Sequence, residues 1–141
     1  ATVYHECAKK MQPIEEYGKG RKYDYGKRLK MSRKPYSDTT AIFYGRGFVQ
    51  LTWYENYEKA GKYCGVNLLQ HPELALNPLF ASKILIGGMT EGWFTGKKLS
   101  DYFTDGKTDW KNARRIINGM DKADLIAGYA LKFFDALKDA K

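Results

Sequence analysis

Apolar positions recur most regularly toward the C-terminal end of the chain. Ala123, Ile126, Ala130, Phe133 and Leu137 stand three or four residues apart. Leu125, Tyr129 and Phe134 widen the same stripe, which predicts an amphipathic helix with one face in a core, capped by Asp121. Earlier, Asn77-Pro78 joins a capping side chain to a first-turn proline and opens a long apolar helix to about Phe94. Within it, Gly87-Gly88 either weakens the helix or lets another backbone come close. Residues 53–64 predict another helix, ended by Gly65, and Asp109 caps a short helix over residues 110–117, stopped by Asn118-Gly119. Residues 1–11 predict a helix that halts at Pro13; because it starts without a cap, more helix is expected upstream. Between Tyr17 and Gly47 the texture changes. Gly18, Gly20, Gly26, Pro35, Gly45 and Gly47 punctuate a basic, tyrosine-rich stretch that predicts loop with one or two short strands, best placed at residues 39–44 and 48–51.

The fold class is therefore mainly α with a small β excursion (α+β): a helical body and a β-containing lobe, an arrangement whose cleft suits a polymer substrate. With 141 residues, 43% apolar and 28% charged, the chain is expected to form one domain over residues 1–141 with a real core. No apolar run reaches the roughly 18 residues of a membrane span, and no secretory leader is visible. Two cysteines, Cys7 and Cys64, make no disulfide framework and read as free thiols in a reducing compartment. Neither His5 nor His71 has zinc-like spacing to further ligands, so no metal site is expected. The net charge is +8, and residues 1–36 hold ten Lys/Arg against four Asp/Glu. That asymmetry favours an anionic polymer such as nucleic acid, acidic lipid or a cell-envelope polymer, or else marks a solvated face without a partner.

Few residues offer chemistry. No phosphate loop, dinucleotide fingerprint or His-Glu-x-x-His is present, and no serine lies in a nucleophile elbow. His5 and Cys7 are poorly placed to act as a pair from one helix. The carboxylates carry more. Glu6 lies among Val3, Tyr4, Cys7 and Ala8, surroundings that raise a carboxyl pKa toward the range of a general acid. Glu15 and Glu16 follow Pro13, where a chain reversal would set one of them across a groove from Glu6, an acid/base pair of the kind that cleaves glycosidic bonds. The alternative is a surface Glu6, with Glu15-Glu16 balancing nearby lysines. In residues 44–53, glycines flank Arg46, and Gln50, Thr52 and Trp53 add amide, hydroxyl and aromatic face, a palette suited to sugars and also common in strands beside turns.

Three segments in order carry a resemblance: His5-Glu6; Tyr44-Gly45-Arg46-Gly47 running through Gln50-Leu51-Thr52-Trp53 to Asn56-Tyr57; and Arg115-Ile116-Ile117-Asn118-Gly119. Together they resemble the family 19 glycoside hydrolases, chitinases and the related phage endolysins, over nearly the whole chain. Met11 to Gly18 and the absence of disulfides resemble the short phage and prophage forms. The resemblance implies a lysozyme-like fold and an inverting mechanism without cofactor. It implies Glu6 as general acid, Glu16 as general base with Glu15 the alternative, and Thr52 as a holder of the attacking water. Tyr44, Gln50, Asn56 and Asn118 match substrate-contacting positions, while Arg46 is at least as well suited to a structural role. Cys7 departs from the family's usual Thr or Ser after His-Glu, and Glu55 from a frequent aromatic.

Peptidoglycan and chitin share the β-1,4 backbone that such an enzyme cuts. The basic N-terminal quarter leans toward an anionic wall, hence toward an endolysin, expected as a monomer stored in the host bacterial cytoplasm until released to the periplasm and wall. Chitin is the alternative substrate, and a non-catalytic glycan-binding module the alternative function. Nucleic acid is not an expected partner, since no helix-turn-helix, RNP or zinc signature is present, and no stable membrane insertion is expected.

Overall fold

The computed structural model describes residues 1–19 and 43–141. Four helices dominate: α1 (Thr2–Glu6), α2 (Tyr54–Cys64), α3 (Pro78–Glu91) and α4 (Ala123–Asp139). Three 3₁₀ turns, Pro72–Leu76, Leu99–Asp101 and Asn112–Ile116, link them. Two small antiparallel pairs complete the described structure: β1 (Ile14–Glu15) with β2 (Arg46–Gly47), and β3 (Phe103–Thr104) with β4 (Lys107–Thr108). No described helix is long and apolar enough to cross a membrane.

The central helices follow their local signals. Tyr54, Tyr57, Gly61 and Cys64 form the buried face of α2, and Gly65 ends it at φ 73° in the left-handed region. The Asn77 side chain accepts from the Leu79 N–H at 2.9 Å and so caps α3. That helix stops at Glu91 rather than near Phe94, because Gly92 turns left-handed at φ 76°. At Gly87-Gly88 it is side chains, not another backbone, that come close. A Cβ at Gly87 would stand 2.7 Å from the Tyr63 ring, and one at Gly88 2.3 Å from the Phe94 ring. Phe43, Leu51, Tyr57, Leu68 and Ile84 are the large buried members of the core that α2 and α3 share with the segment before α2.

The N-terminal segment departs from expectation. α1 ends at Glu6, and Ala8, Lys9 and Met11 take positive φ values of 50°, 64° and 54°. This early reversal brings β1 back against β2, Ile14 opposite Gly47 and Glu15 opposite Arg46; a helix continuing to residue 11 would leave too little chain for that return. Residues 48–51 form a turn instead of a strand. It is closed by Arg46 N–H to Leu51 O at 3.2 Å and Leu51 N–H to Arg46 O at 2.9 Å. Of the strand expected over 39–44, residues 39–42 lie outside the described residues, as does most of the basic run before residue 36; Phe43 and Tyr44 are irregular. Gly47 has φ 86°, and a Cβ there would stand 2.8 Å from the Ala75 carbonyl oxygen, so the position needs glycine twice over.

At the C-terminal end, Asp109 Oδ1 accepts from the Asn112 N–H at 3.0 Å, but the turn that follows, Asn112–Ile116, is 3₁₀ and its cap position is held by Lys111. Asp121 does not cap α4: Lys122 holds that place at φ 57°, with no side-chain bond. The β3–β4 hairpin was not expected, although Asp105-Gly106 is a strong local turn signal. α4 buries Ala123 and Ile126 and meets α1 through Tyr4, whose ring lies 4.9 Å from Tyr129 and 5.7 Å from Phe133. Its last turns are less covered than the apolar stripe predicts, with Leu137 67% exposed, and the short α1 meets the helix at Tyr129 and Phe133.

Candidate active site

Glu6 is the last residue of α1, and its neighbour Cys7 fixes where it stands. Cys7 is fully buried, with its sulfur 3.8 Å from Gly47 O and 3.7 Å from Phe48 O. The Glu6 side chain is 20% exposed and does not rest in purely apolar surroundings. Its Oε1 accepts from Arg114 Nη1 at 2.8 Å. Arg114, with a side chain only 4% exposed, also donates from Nε to Asp121 O at 3.1 Å. The 3₁₀ turn that carries Arg114 is held at both ends, by the Asn112 N–H donating to Asp109 Oδ1 and by Thr95 Oγ1 donating to Ile116 O at 3.1 Å. An apolar cavity of about 350 Å³, bounded by Val3, Met89, Trp110, Ile126 and Phe133, lies against Arg114 rather than beside the other carboxylates.

The acidic pair of β1 reaches the same hairpin from a second direction. Glu16 is tied to Gly45 twice: its N–H donates to Gly45 O at 2.7 Å, and its Oε2 accepts from Gly45 N–H at 3.2 Å. Glu15 has side-chain partners. The Tyr44 hydroxyl donates to its Oε1 at 2.8 Å, Lys19 Nζ lies 3.1 Å from Oε2, and Arg46 Nε lies 3.9 Å from Oε1. The Tyr44 hydrogen bond, with help from Lys19 and Arg46 and against the cost of burial, holds the Glu15 carboxyl below the ordinary glutamate range.

Behind Tyr44 a buried polar chain continues. The Arg46 guanidinium sits 3.6 Å from the Tyr44 ring centroid and donates from Nη1 to the Tyr57 hydroxyl at 3.0 Å. Tyr57 in turn donates to Tyr44 O at 2.7 Å. Its burial pushes the Tyr57 hydroxyl far above the usual tyrosine range.

The remaining sequence-selected residues fall into two groups. Thr52 and Asn56, both half-buried, lie after the hairpin and in the first turn of α2. Gln50 and Asn118 have side-chain groups already engaged with backbone. Gln50 Nε2 donates to Ile14 O at 3.0 Å and to Gly47 O at 3.2 Å, which fastens β1 to the hairpin. Asn118 is exposed and accepts the Gly119 N–H at 2.8 Å, and its own N–H donates to Arg114 O at 3.1 Å. Thus Glu15, Glu16, Tyr44 and Gln50 come together at the hairpin, while the Glu6 carboxylate is tied to Arg114, whose carbonyl also accepts the Asn118 N–H. Arg114 is not singled out by the sequence: it stands beside Arg115 in Asn112–Ile116 with no local mark to tell the buried cation from the exposed one, and its partner Glu6 lies 108 residues away. Among the described residues no group of three or more His, Cys, Asp or Glu comes together as a metal site.

Comparison with known proteins gives one consistent answer. The sequence profile described as chitinase class I matches residues 15–98, more than half of the chain, from Glu15 through the hairpin, α2 and α3. Glu6 and Asn118 lie outside that match. An endochitinase of Arabidopsis thaliana is 35% identical over 78 residues, which are 55% of this chain and 25% of the plant protein. Chitinase C of Streptomyces griseus superposes with a TM-score of 0.54 and 28% identity, over 68% of this chain and 45% of that one. The chain thus spans about a quarter of one relative and under half of the other. The described structure shares the mainly helical, lysozyme-like architecture of such chitinases.

Proposed function

The chain belongs to the family 19 glycoside hydrolases, and on that premise we propose that it hydrolyses β-1,4 bonds of an N-acetylated amino-sugar polymer, its substrate being bacterial peptidoglycan and its task the lysis of a host from within. What supports the chemistry is that two acidic segments reach one hairpin: the Cys7 sulfur, next in sequence to Glu6, sits on Gly47 and Phe48, and β1 lays Glu15 and Glu16 along Arg46 and Gly45.

In the proposed reaction Glu6 protonates the glycosidic oxygen as the anomeric C–O bond breaks. Glu16 takes a proton from a water attacking the anomeric carbon from the opposite face, so the product is inverted. Such a water needs carboxyls roughly 6.5–9.5 Å apart. Thr52 helps to hold the water, and Gln50, Asn56 and Asn118 line the sugar path, whereas Tyr44, named with them from the sequence, has its ring under Arg46 and its hydroxyl on Glu15. No cofactor is required. A second reading gives the base role to Glu15. The observation that favours it is the fixation of its carboxylate by Tyr44, Lys19 and Arg46, which keeps it ionised across the acid side of neutrality.

Peptidoglycan is chosen for charge. Six of the eight net positive charges fall in residues 1–36, next in sequence to Glu6, Glu15 and Glu16, and a basic field accumulates the protein on an anionic wall. The names of the two relatives favour chitin as a second reading. Digestion of purified Gram-negative sacculi beside colloidal chitin, with mass spectrometry of the new reducing ends, separates the two. Soluble fragments from sacculi are expected. Release from chitin alone selects the second substrate, and folded protein that releases sugar from neither removes the hydrolase reading.

A further inference from the structure

We propose that Tyr44 is a positioning residue: it holds the Glu15 carboxylate in a single orientation for its part in the reaction, and is itself held by Arg46 and Tyr57. The inference rests on the hydrolase reading above and concerns the second of the two base assignments.

The geometry carries it. Tyr44 is 8% exposed, one face of its ring is covered by the Arg46 guanidinium, and its hydroxyl is committed to Glu15 Oε1. A ring so covered is a poor platform for a sugar, whereas a neutral donor fixed in one place is a good guide for a carboxylate. Arg46 cannot easily swing away. It is 6% exposed and anchored to the Tyr57 hydroxyl, and that hydroxyl returns to the Tyr44 carbonyl, which closes a ring of contacts. Tyr57 is fully buried on α2 with its ring 5.0 Å from Phe43. The core therefore sets Tyr57, Tyr57 sets Arg46, Arg46 sets Tyr44, and Tyr44 sets Glu15. Among the described residues the charged and titratable groups that face Glu15 are Lys19, Tyr44 and Arg46, with Tyr57 behind Arg46. Lys19 has a 65% exposed side chain, so its ion pair is screened by solvent and orients the carboxylate weakly. The hydrogen bond from Tyr44 is part-buried and directional, and hydrogen bonds to a charged group are the stronger kind.

Tyr44→Phe removes the hydroxyl and keeps the ring under Arg46; Lys19→Ala removes the exposed ion pair and serves as comparison. Two readouts are taken on wild type and both variants. One is the titration of the Glu15 side-chain carboxyl followed by carbon NMR, which needs no activity. The other is kcat and KM against pH, on solubilised peptidoglycan strands and on the N-acetylglucosamine hexamer, with circular dichroism as the check of folding. In Tyr44→Phe the Glu15 titration and the acidic limb of kcat should both move to higher pH, and kcat at the optimum should fall about 10–100-fold with KM little changed, as expected for loss of a hydrogen bond to a charged group. Lys19→Ala should move both readouts less. An unmoved Glu15 titration in Tyr44→Phe overturns the proposal, and so does a larger shift in Lys19→Ala. A titration that moves while kcat and its acidic limb stay in place leaves the hydrolase reading standing and removes Tyr44 from it. Wild-type protein inactive on both substrates removes both.

Discussion

Arg114 Nη1 lies 2.8 Å from Glu6 Oε1, and this contact spans 108 positions of the chain. It joins the end of α1 to the turn before α4, and of the two side chains the arginine is the more deeply buried, at 4% against 20% exposure. Removing the cation strands a carboxylate that remains largely enclosed, whereas an amide at position 6 still accepts the same N–H. Arg114→Ala should therefore destabilise the fold by about 3 kcal/mol, the scale for breaking a buried pair from one side. Glu6→Gln should cost much less. Urea unfolding of both variants checks the order; equal losses would mean that the pair contributes through packing rather than charge.

For the reaction, Glu6→Gln is expected to lower turnover about 10²–10⁴-fold while the circular dichroism spectrum is kept. Glu15→Gln and Glu16→Gln then decide between the two neighbours. The proposed base is the one whose replacement gives a loss on the same scale, and the other should retain activity within about tenfold of wild type, the span of roughly 1.4 kcal/mol in a barrier. Wild-type turnover in Glu6→Gln would falsify the acid assignment.

Acid should loosen the hairpin through Glu15. Its carboxyl pKa in the folded chain lies below the ordinary value, chiefly through Tyr44. The sign follows from linkage: stability from this group is fully present above the unfolded glutamate pKa of about 4.3, and is lost as pH falls through the lower folded value. The urea midpoint of wild type should accordingly decline on acidification below that range. Tyr44→Phe should show a smaller decline, since less of the stability then depends on an ionised Glu15; a parallel decline in both would argue that other carboxylates dominate.

Gly47→Ala should destabilise by about 2 kcal/mol or more, the scale of a residue forced into the left-handed region. Here a clash with the Ala75 carbonyl oxygen is added. Gly65→Ala offers the contrast: its φ is 73°, yet a Cβ there meets nothing within 4 Å. Thermal melting of the two variants should rank Gly47 as the worse loss.

Burial pushes the Cys7 and Cys64 thiols up from their ordinary range. Native protein at pH 8 should react slowly with a thiol-disulfide reagent, and denatured protein should release both thiols at once. Fast native reaction of Cys7 would show that its seat against Gly47 and Phe48 opens readily.

The parts of the fold legible in the sequence are those specified within a few residues. Asn77-Pro78 caps α3 and Gly65 stops α2 because capping and left-handed stops act over one turn. Asp109 marks its turn for the same reason. Asp121 failed as a cap because Lys122 took the left-handed place between it and α4. The strands were misplaced because two-residue strands carry no alternation to read, and their pairing is set by a chain reversal at Ala8 and Lys9 that nothing in those residue types announces. The stripe on α4 was readable as apolar, but periodicity does not say how long the opposing element is, and α1 proved short. At the candidate site, Glu6, Glu15, Glu16, Tyr44 and Gln50 stand out from their segments; the structure sets Glu15 and Glu16 on the hairpin that carries Tyr44 and Gln50, and ties Glu6 to Arg114. The partners that orient them, Arg114 for Glu6 and Tyr57 behind Tyr44, act over long sequence separations or through a core position, where residue type alone is silent.

The hairpin at residues 43–51 receives three separate fastenings: the Cys7 sulfur at its tip, β1 with the Gln50 amide along its edge, and Trp53 N–H closing onto Phe43 O at its base. Both acidic segments are thus mounted on a common bracket. The Glu6 carboxylate is tied besides to Arg114, in the turn before α4, so the bracket cannot shift against the helical body without straining that ion pair, and the outer half of α4 has no part in these fastenings. Drift in the surface of α4 is a route by which such a chain can change its exterior without detuning its chemistry.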